Sequence, residues 1–245
     1  MSHFVTRRPL IFSVLAVLAP VVALKCLHVG LGVIGLSELG TRLVAEVVFG
    51  AYVVALLWRL HWWRDAGFTR AVNGYRLVAW LPLLLLPLLI LVGSGIKPAS
   101  LERMAGFALL TLLVGFAEEG LMRGIVLRAL SPAGVMRAAV LSSLIFGLGH
   151  LANIVQGVTP SAAIVQAVVA TLLGIGFAGA RVYAGTIWPA IVLHAFTDLV
   201  DTASRGFMLP PPQVMTVGRA VVPIALTSVC AVYGWWLLRR DLATL

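Results

Sequence analysis

Between residues 101 and 130 the chain is largely apolar, over a length that crosses a bilayer as one helix. Inside that run lies Phe116-Ala117-Glu118-Glu119-Gly120-Leu121-Met122-Arg123, with two adjacent carboxylates and a guanidinium. Each charge at mid-membrane depth costs about 2.5–3.5 kcal/mol or more, so three in one segment require a use. On a helix Glu119 and Arg123 are four residues apart and share a face, which lets them neutralise each other. Glu118 is turned about 100° away from Glu119 and has no partner in its own helix. One carboxylate is anchored and the other is left to work.

The rest of the chain matches this segment. Of its 245 residues 61% are hydrophobic and 11% charged, where a soluble domain carries roughly 25% charged residues. The expected fold class is all-α, a polytopic transmembrane helical bundle of about eight spans. Lys and Arg total 18 against 9 Asp and Glu, a net charge of +9. The arginines are scattered between apolar spans and form no continuous basic face, so nucleic acid is excluded as a partner. The lipid bilayer is the expected surrounding. Cys26 and Cys230 sit in apolar stretches with no CxxC or CxxxC pair and read as packing residues. Arg7 and Arg8 precede an apolar run that no small-residue cleavage site closes, which predicts a retained first span rather than a signal peptide.

In order, the expected spans begin with residues 9 to about 29–36, interrupted by Lys25 and His28, where the chain bends or re-enters. Next come 43–60, carrying Glu46, and 77–96, bent by Pro82 and Pro87. Residues 101–130, 135–155, 162–183, 187–202 and 217–238 complete the set. Residues 61–68, followed by Arg70 and Arg76, mix aromatic and basic side chains as a headgroup-level helix or loop does. Trp58, Trp62, Trp63, Trp235 and Trp236 fit interfacial belts. In the sixth span Gly174, Gly176, Ala178, Gly179 and Ala180 favour close helix contact. A proline-rich loop at 210–212 leads into the eighth. Arg7 and Arg8, the 59–76 loop, Arg128, Arg137, Arg181, Arg239 and Arg240 all fall on one side of such a bundle. The positive-inside bias then places both termini in the cytoplasm. With no long polar linker or repeat, the expectation is a single membrane-embedded domain over 1–245, its motif core at about 101–203.

Two further polar motifs lie in these spans: Phe146-Gly147-Leu148-Gly149-His150 and His194-Ala195-Phe196-Thr197-Asp198. His194 and Asp198 are four apart on a helix, so the carboxylate can orient the imidazole. At about 1.5 Å per residue, Glu118 lies roughly 18 Å from the cytoplasmic end, His150 about 20 Å and His194 about 11 Å. Three helices thus bring ionisable groups to overlapping depths, as a buried site requires. Asn153, one turn after His150, can donate a hydrogen bond into that region.

The ordered set Glu118-Glu119-x-x-x-Arg123, Phe146-x-x-x-His150 and His194-x-x-x-Asp198 resembles the CAAX-protease and bacteriocin-processing (CPBP, Abi) family. That family includes the Rce1 type of intramembrane endopeptidase. The motifs cover about a third of the chain. The resemblance implies an eight-span peptide hydrolase of a bacterial cytoplasmic membrane, acting on a membrane-associated peptide or protein. Prenylated CAAX termini are the Rce1 substrate class, and a leader peptide or the tail of a membrane protein fits the expectation equally. It makes Glu118 the general base that activates water, with His150 helping to hold that water. Glu119 and Arg123 would be structural, while His194 and residue 198 would stabilise the oxyanion. The chain departs from the Rce1 type at position 198, which is Asp where that type has Asn. An ionised Asp198 would repel an oxyanion, so the expectation is that it orients His194 and keeps a proton on it. No metal is favoured. Glu118, His150 and His194 would supply a His₂Glu zinc set, but His-Glu-x-x-His is absent, as is the Gly-x-Ser-x-Gly of a serine nucleophile. Rival readings are a proton-coupled transporter using the same groups as a relay, against which the lack of two related halves speaks, and a non-catalytic membrane scaffold.

Overall fold

The computed structural model describes residues 2–33, 35–70, 74–207 and 216–242; the proline-rich stretch 210–212 lies outside the described residues. Among the described residues all regular structure is helical. After a short helix at Ser2–Arg7, the long elements are α1 (Pro9–Val33), α2 (Glu38–Leu60), α3 (Leu81–Ser94) and α4 (Leu101–Glu119). They continue as α5 (Val135–Gly149), α6 (Pro160–Ala184), α7 (Trp188–Ser204) and α8 (Val217–Leu242). Large apolar side chains such as Leu15, Val22, Val92, Leu101 and Val232 are exposed, the pattern of a bundle whose solvent is lipid. The protein is an integral membrane protein.

Seven described helical stretches are long and apolar enough to cross a membrane. The eighth expected span is α7, which at 17 residues reaches about 25 Å, short of the ~30 Å hydrocarbon core. It also carries His194, Thr197, Asp198 and Asp201. Two expected bends are corrected. The first span runs unbroken as α1 through Lys25, whose ammonium donates to Ala152 O at 2.8 Å and so keeps its place in the helix. Pro82 does not bend the third span; it sits in the first turn of α3, where a missing N–H is harmless. Only Pro87 lies inside that helix. Ahead of it, Gly74–Trp80 is 3₁₀.

The loop after α2 is not merely interfacial. His61 closes α2 in the left-handed conformation, and the chain turns inward so that Ala66 and Phe68 join the core cluster with Leu121, Val126 and Ile187. The loop is pinned by Arg181, whose guanidinium donates to Asp65 O at 2.6 Å. Trp188 Nε1 donates to Phe68 O at 3.0 Å, and Ile187 N donates to Gly67 O at 3.2 Å. Arg128 pairs with the Asp65 carboxylate at 2.8 Å. The start of α7 is therefore fastened to this loop.

Two helix contacts bring backbones together. α6 lies between α5 and α8, and a Cβ on Gly179 would stand 2.6 Å from Gly234 Cα on α8. The small residues expected in this span thus serve close packing. α4 runs along α7 and also meets α2. There a Cβ on Gly115 would fall 2.7 Å from Ile191 O and 3.2 Å from Ala195 N, so only glycine lets the two main chains meet one turn before Glu118 and Glu119.

Candidate active site

Directly after Glu119 the helix loosens. Residues Gly120–Val126 form a π-helical segment, all seven of them buried, before α-helix resumes at Leu127–Leu130. Such insertions recur at functional sites because they rotate side chains out of the ordinary register. Here the segment follows the two carboxylates and contains Arg123, so the charged residues straddle the change of register.

Glu119 is 1% exposed at its side chain, and Arg123 is equally enclosed. Arg123 Nη1 donates to Glu119 Oε1 at 3.2 Å, and the guanidinium lies 4.5 Å from the Phe146 ring centroid and 5.9 Å from that of Phe177. Aromatic faces thus take the part of the cation that the carboxylate does not. The same Glu119 oxygen accepts from His194 Nδ1 at 2.7 Å, a short charge-assisted bond. Phe146 and Phe177 flank the imidazole edge-on, with centroids 6.5 and 6.4 Å away. With Nδ1 committed to Glu119, Nε2 is the atom presented outward. Glu118 Oε2 stands 3.6 Å from it and Asp198 Oδ2 3.5 Å. The tighter partner of the imidazole is accordingly Glu119, not the Asp198 that helical spacing alone suggested.

Glu118 is 28% exposed at its side chain and faces a cavity of about 680 Å³, which His150, Asn153, His194 and Asp198 also line. His150 Nδ1 lies 3.0 Å from Phe146 O. A carbonyl only accepts, so that nitrogen carries the hydrogen and Nε2 of the neutral ring is an acceptor. Phe146 holds the ring edge-on at 4.7 Å. It thus contacts His150, His194 and Arg123 together. Asn153 Nδ2 donates to Gln166 Oε1 at 2.9 Å, which leaves one amide hydrogen for the cavity. Among the described residues no three His, Cys, Asp or Glu side chains converge in an arrangement that could hold a metal ion. Glu118, His150 and His194 share a cavity wall without forming a ligand cluster.

Sequence reasoning gave no catalytic part to three groups that the fold brings to the same cavity: Lys25 on α1, Glu46 on α2 and Gln166 on α6. Glu46 Oε2 is buried without a hydrogen-bond partner among the described residues. The signal that could have found them was the cost of an isolated polar group in an apolar span; what was missing was the face each one presents.

No curated protein and no solved structure matches the chain significantly. Residues 100–200, which hold every one of the three polar motifs, match the family model described as type II CAAX prenyl endopeptidase Rce1-like.

Proposed function

We propose that the protein is an intramembrane endopeptidase that hydrolyses a peptide bond of a membrane-associated protein or peptide, with water activated by Glu118. One observation carries the reading. A single carboxylate, Glu119, is clamped by Arg123 and in turn fixes His194, so that His194 Nε2 comes within 3.6 Å of Glu118 Oε2 at the wall of a cavity. The anchored member of the pair builds the frame and the accessible member meets substrate.

In this mechanism Glu118 takes a proton from a water that His150 Nε2 helps to hold. The water oxygen attacks the carbonyl carbon, and the carbonyl oxygen becomes the oxyanion. His194 Nε2–H donates to it; preorganised donors of this kind supply much of the stabilisation in acyl transfer. The proton held by Glu118 then passes to the leaving amine. Asp198, 42% exposed at its side chain, stands 3.5 Å from Nε2 as a second carboxylate beside the imidazole. The proposed chemistry needs no metal ion. We read residues 1–245 as one domain, with both termini cytoplasmic, and a prenylated CAAX terminus as the substrate class.

The test is cleavage of membrane-peptide substrates by purified protein in detergent or liposomes, with and without chelator, comparing wild type with Glu118→Ala. Chelator-resistant cleavage that vanishes in the variant is expected. Cleavage abolished by chelator and restored by zinc would replace the mechanism with a metal-bound one. Proton-driven flux without cleavage would replace the endopeptidase with a carrier.

A further inference from the structure

The cavity is electrically lopsided. Five carboxylates line it, from Glu38, Glu46, Glu118, Asp198 and Asp201, against three cationic side chains, Lys25, Arg42 and Arg205. Arg42 pairs with Glu38 at 3.4 Å, and Arg205 pairs with Asp201. Both pairs are local, between residues four apart in the chain. Lys25 differs: its ammonium is bonded to a backbone carbonyl, Ala152 O, at 2.8 Å, with no carboxylate partner among the described residues. An ammonium has three donors, and two remain for the cavity. An incoming carboxylate is repelled along most of this wall. At Lys25 it meets a positive charge that no acid already neutralises.

The place of Lys25 matters as much as its charge. Ala152 is two residues beyond His150, in the 3₁₀ segment His150–Gln156 that leaves α5. The same end of the cavity is lined by Asn153 and Gln166, an amide pair whose hydrogen bond to each other leaves three N–H groups and three carbonyl lone pairs unused. A cation beside unspent amide groups suits the end of a peptide. A lysine in the largely apolar α1 also has a cost that one carbonyl bond only partly offsets.

We propose that Lys25 is a specificity-determining residue that binds the free C-terminal carboxylate of the peptide substrate. This rests on the endopeptidase reading. A CAAX box ends the chain, so its last residue carries a carboxylate. Lys25 holds that carboxylate two residues past His150, and the bond to be cut is thereby drawn toward Glu118. An internal loop, or a chain whose end is capped as an amide, gains nothing from it.

The experiment compares two farnesylated CAAX peptides identical in sequence, one ending in a free acid and one in a primary amide. Cleavage is measured with the full chain as wild type, Lys25→Met, Lys25→Arg and Glu118→Gln. Wild type is expected to favour the acid by about 10- to 100-fold in kcat/KM, the scale of one charge-assisted hydrogen bond, chiefly through KM. Lys25→Met should collapse that ratio to about one, and Lys25→Arg should restore most of it. A lysine that merely clamps Ala152 would change the rate of both peptides and leave the ratio alone. Equal cleavage of acid and amide by wild type overturns the proposal even where Lys25→Met fails to fold, and so does a ratio that survives in Lys25→Met. No Glu118-dependent cleavage of either peptide would instead overturn the endopeptidase reading itself.

Discussion

The α4–α7 and α6–α8 contacts are built on the same device and serve opposite ends. In both, glycine lets two main chains meet, Gly115 against Ile191 and Ala195 in one, Gly179 against Gly234 in the other. Around the α6–α8 contact the neighbours include Cys230 and Leu237, and the closeness yields dispersion. Around the α4–α7 contact they are Glu118, Glu119, Arg123 and His194, and the closeness sets distances between charges. A shift of a few tenths of an ångström is a packing adjustment in the first case. In the second it changes which oxygen faces which nitrogen. The same backbone geometry therefore brings apolar groups together at one contact and charged groups at the other.

Substitutions can break or sharpen that contrast, and the expected losses of activity fall in order. Glu118→Gln should lower kcat by roughly 10²–10⁴-fold, as loss of a general base does. Its melting in detergent should hardly change, because that side chain reaches the cavity; a large fall in Tm would make Glu118 part of the frame instead. Glu119→Gln should reduce kcat about 10²-fold by misplacing His194 and also cost about 3–5 kcal/mol of stability, since it strands Arg123 in the interior. Denaturant or thermal unfolding alongside turnover separates the two effects. Gly115→Ala should slow turnover about tenfold, the added methyl forcing α4 from α7. Asp198→Asn should change kcat only a few-fold, given that the imidazole's short bond is to Glu119; a hundredfold loss would return the orienting role to Asp198. Gly179→Ala should lower stability by about 1–3 kcal/mol while the folded fraction keeps its specific activity. If Gly179→Ala slowed turnover as much as Gly115→Ala, the two contacts would not differ in kind.

Where the sequence was legible, the relevant geometry lay within one helix. The spacing of Glu119 and Arg123 already specified their pairing, and the isolation of Glu118 from its own helix followed from a 100° turn. Depth estimates put Glu118 and His194 at overlapping levels, and they lie 3.6 Å apart. What spacing could not supply is lateral: Glu119 reaches His194 across 75 residues, and no periodicity encodes which neighbour a helix face meets. The π-helical stretch at Gly120–Val126 was equally hidden, because a change from i→i+4 to i→i+5 bonding leaves no compositional mark. Ala66 and Phe68 were misjudged because aromatic and basic neighbours in sequence look interfacial, whereas the loop folds back over the helix ends. Lys25 and Glu46 read in the sequence as isolated groups that pack or face a cavity, and the fold gives them the same cavity.

The long reach from Glu119 to His194 has a consequence in time. During synthesis α4 emerges well before α7 exists, with 75 residues still to come. At about 5–20 residues per second the interval is roughly 4–15 s. Throughout it, Arg123 can offset Glu119 within the helix, but Glu118 has neither its cavity nor His194 beside it. A segment so charged is a poor candidate for immediate release into lipid. Its entry is best deferred until the short polar helix that completes it arrives, which makes the order of chain emergence part of how the site is assembled.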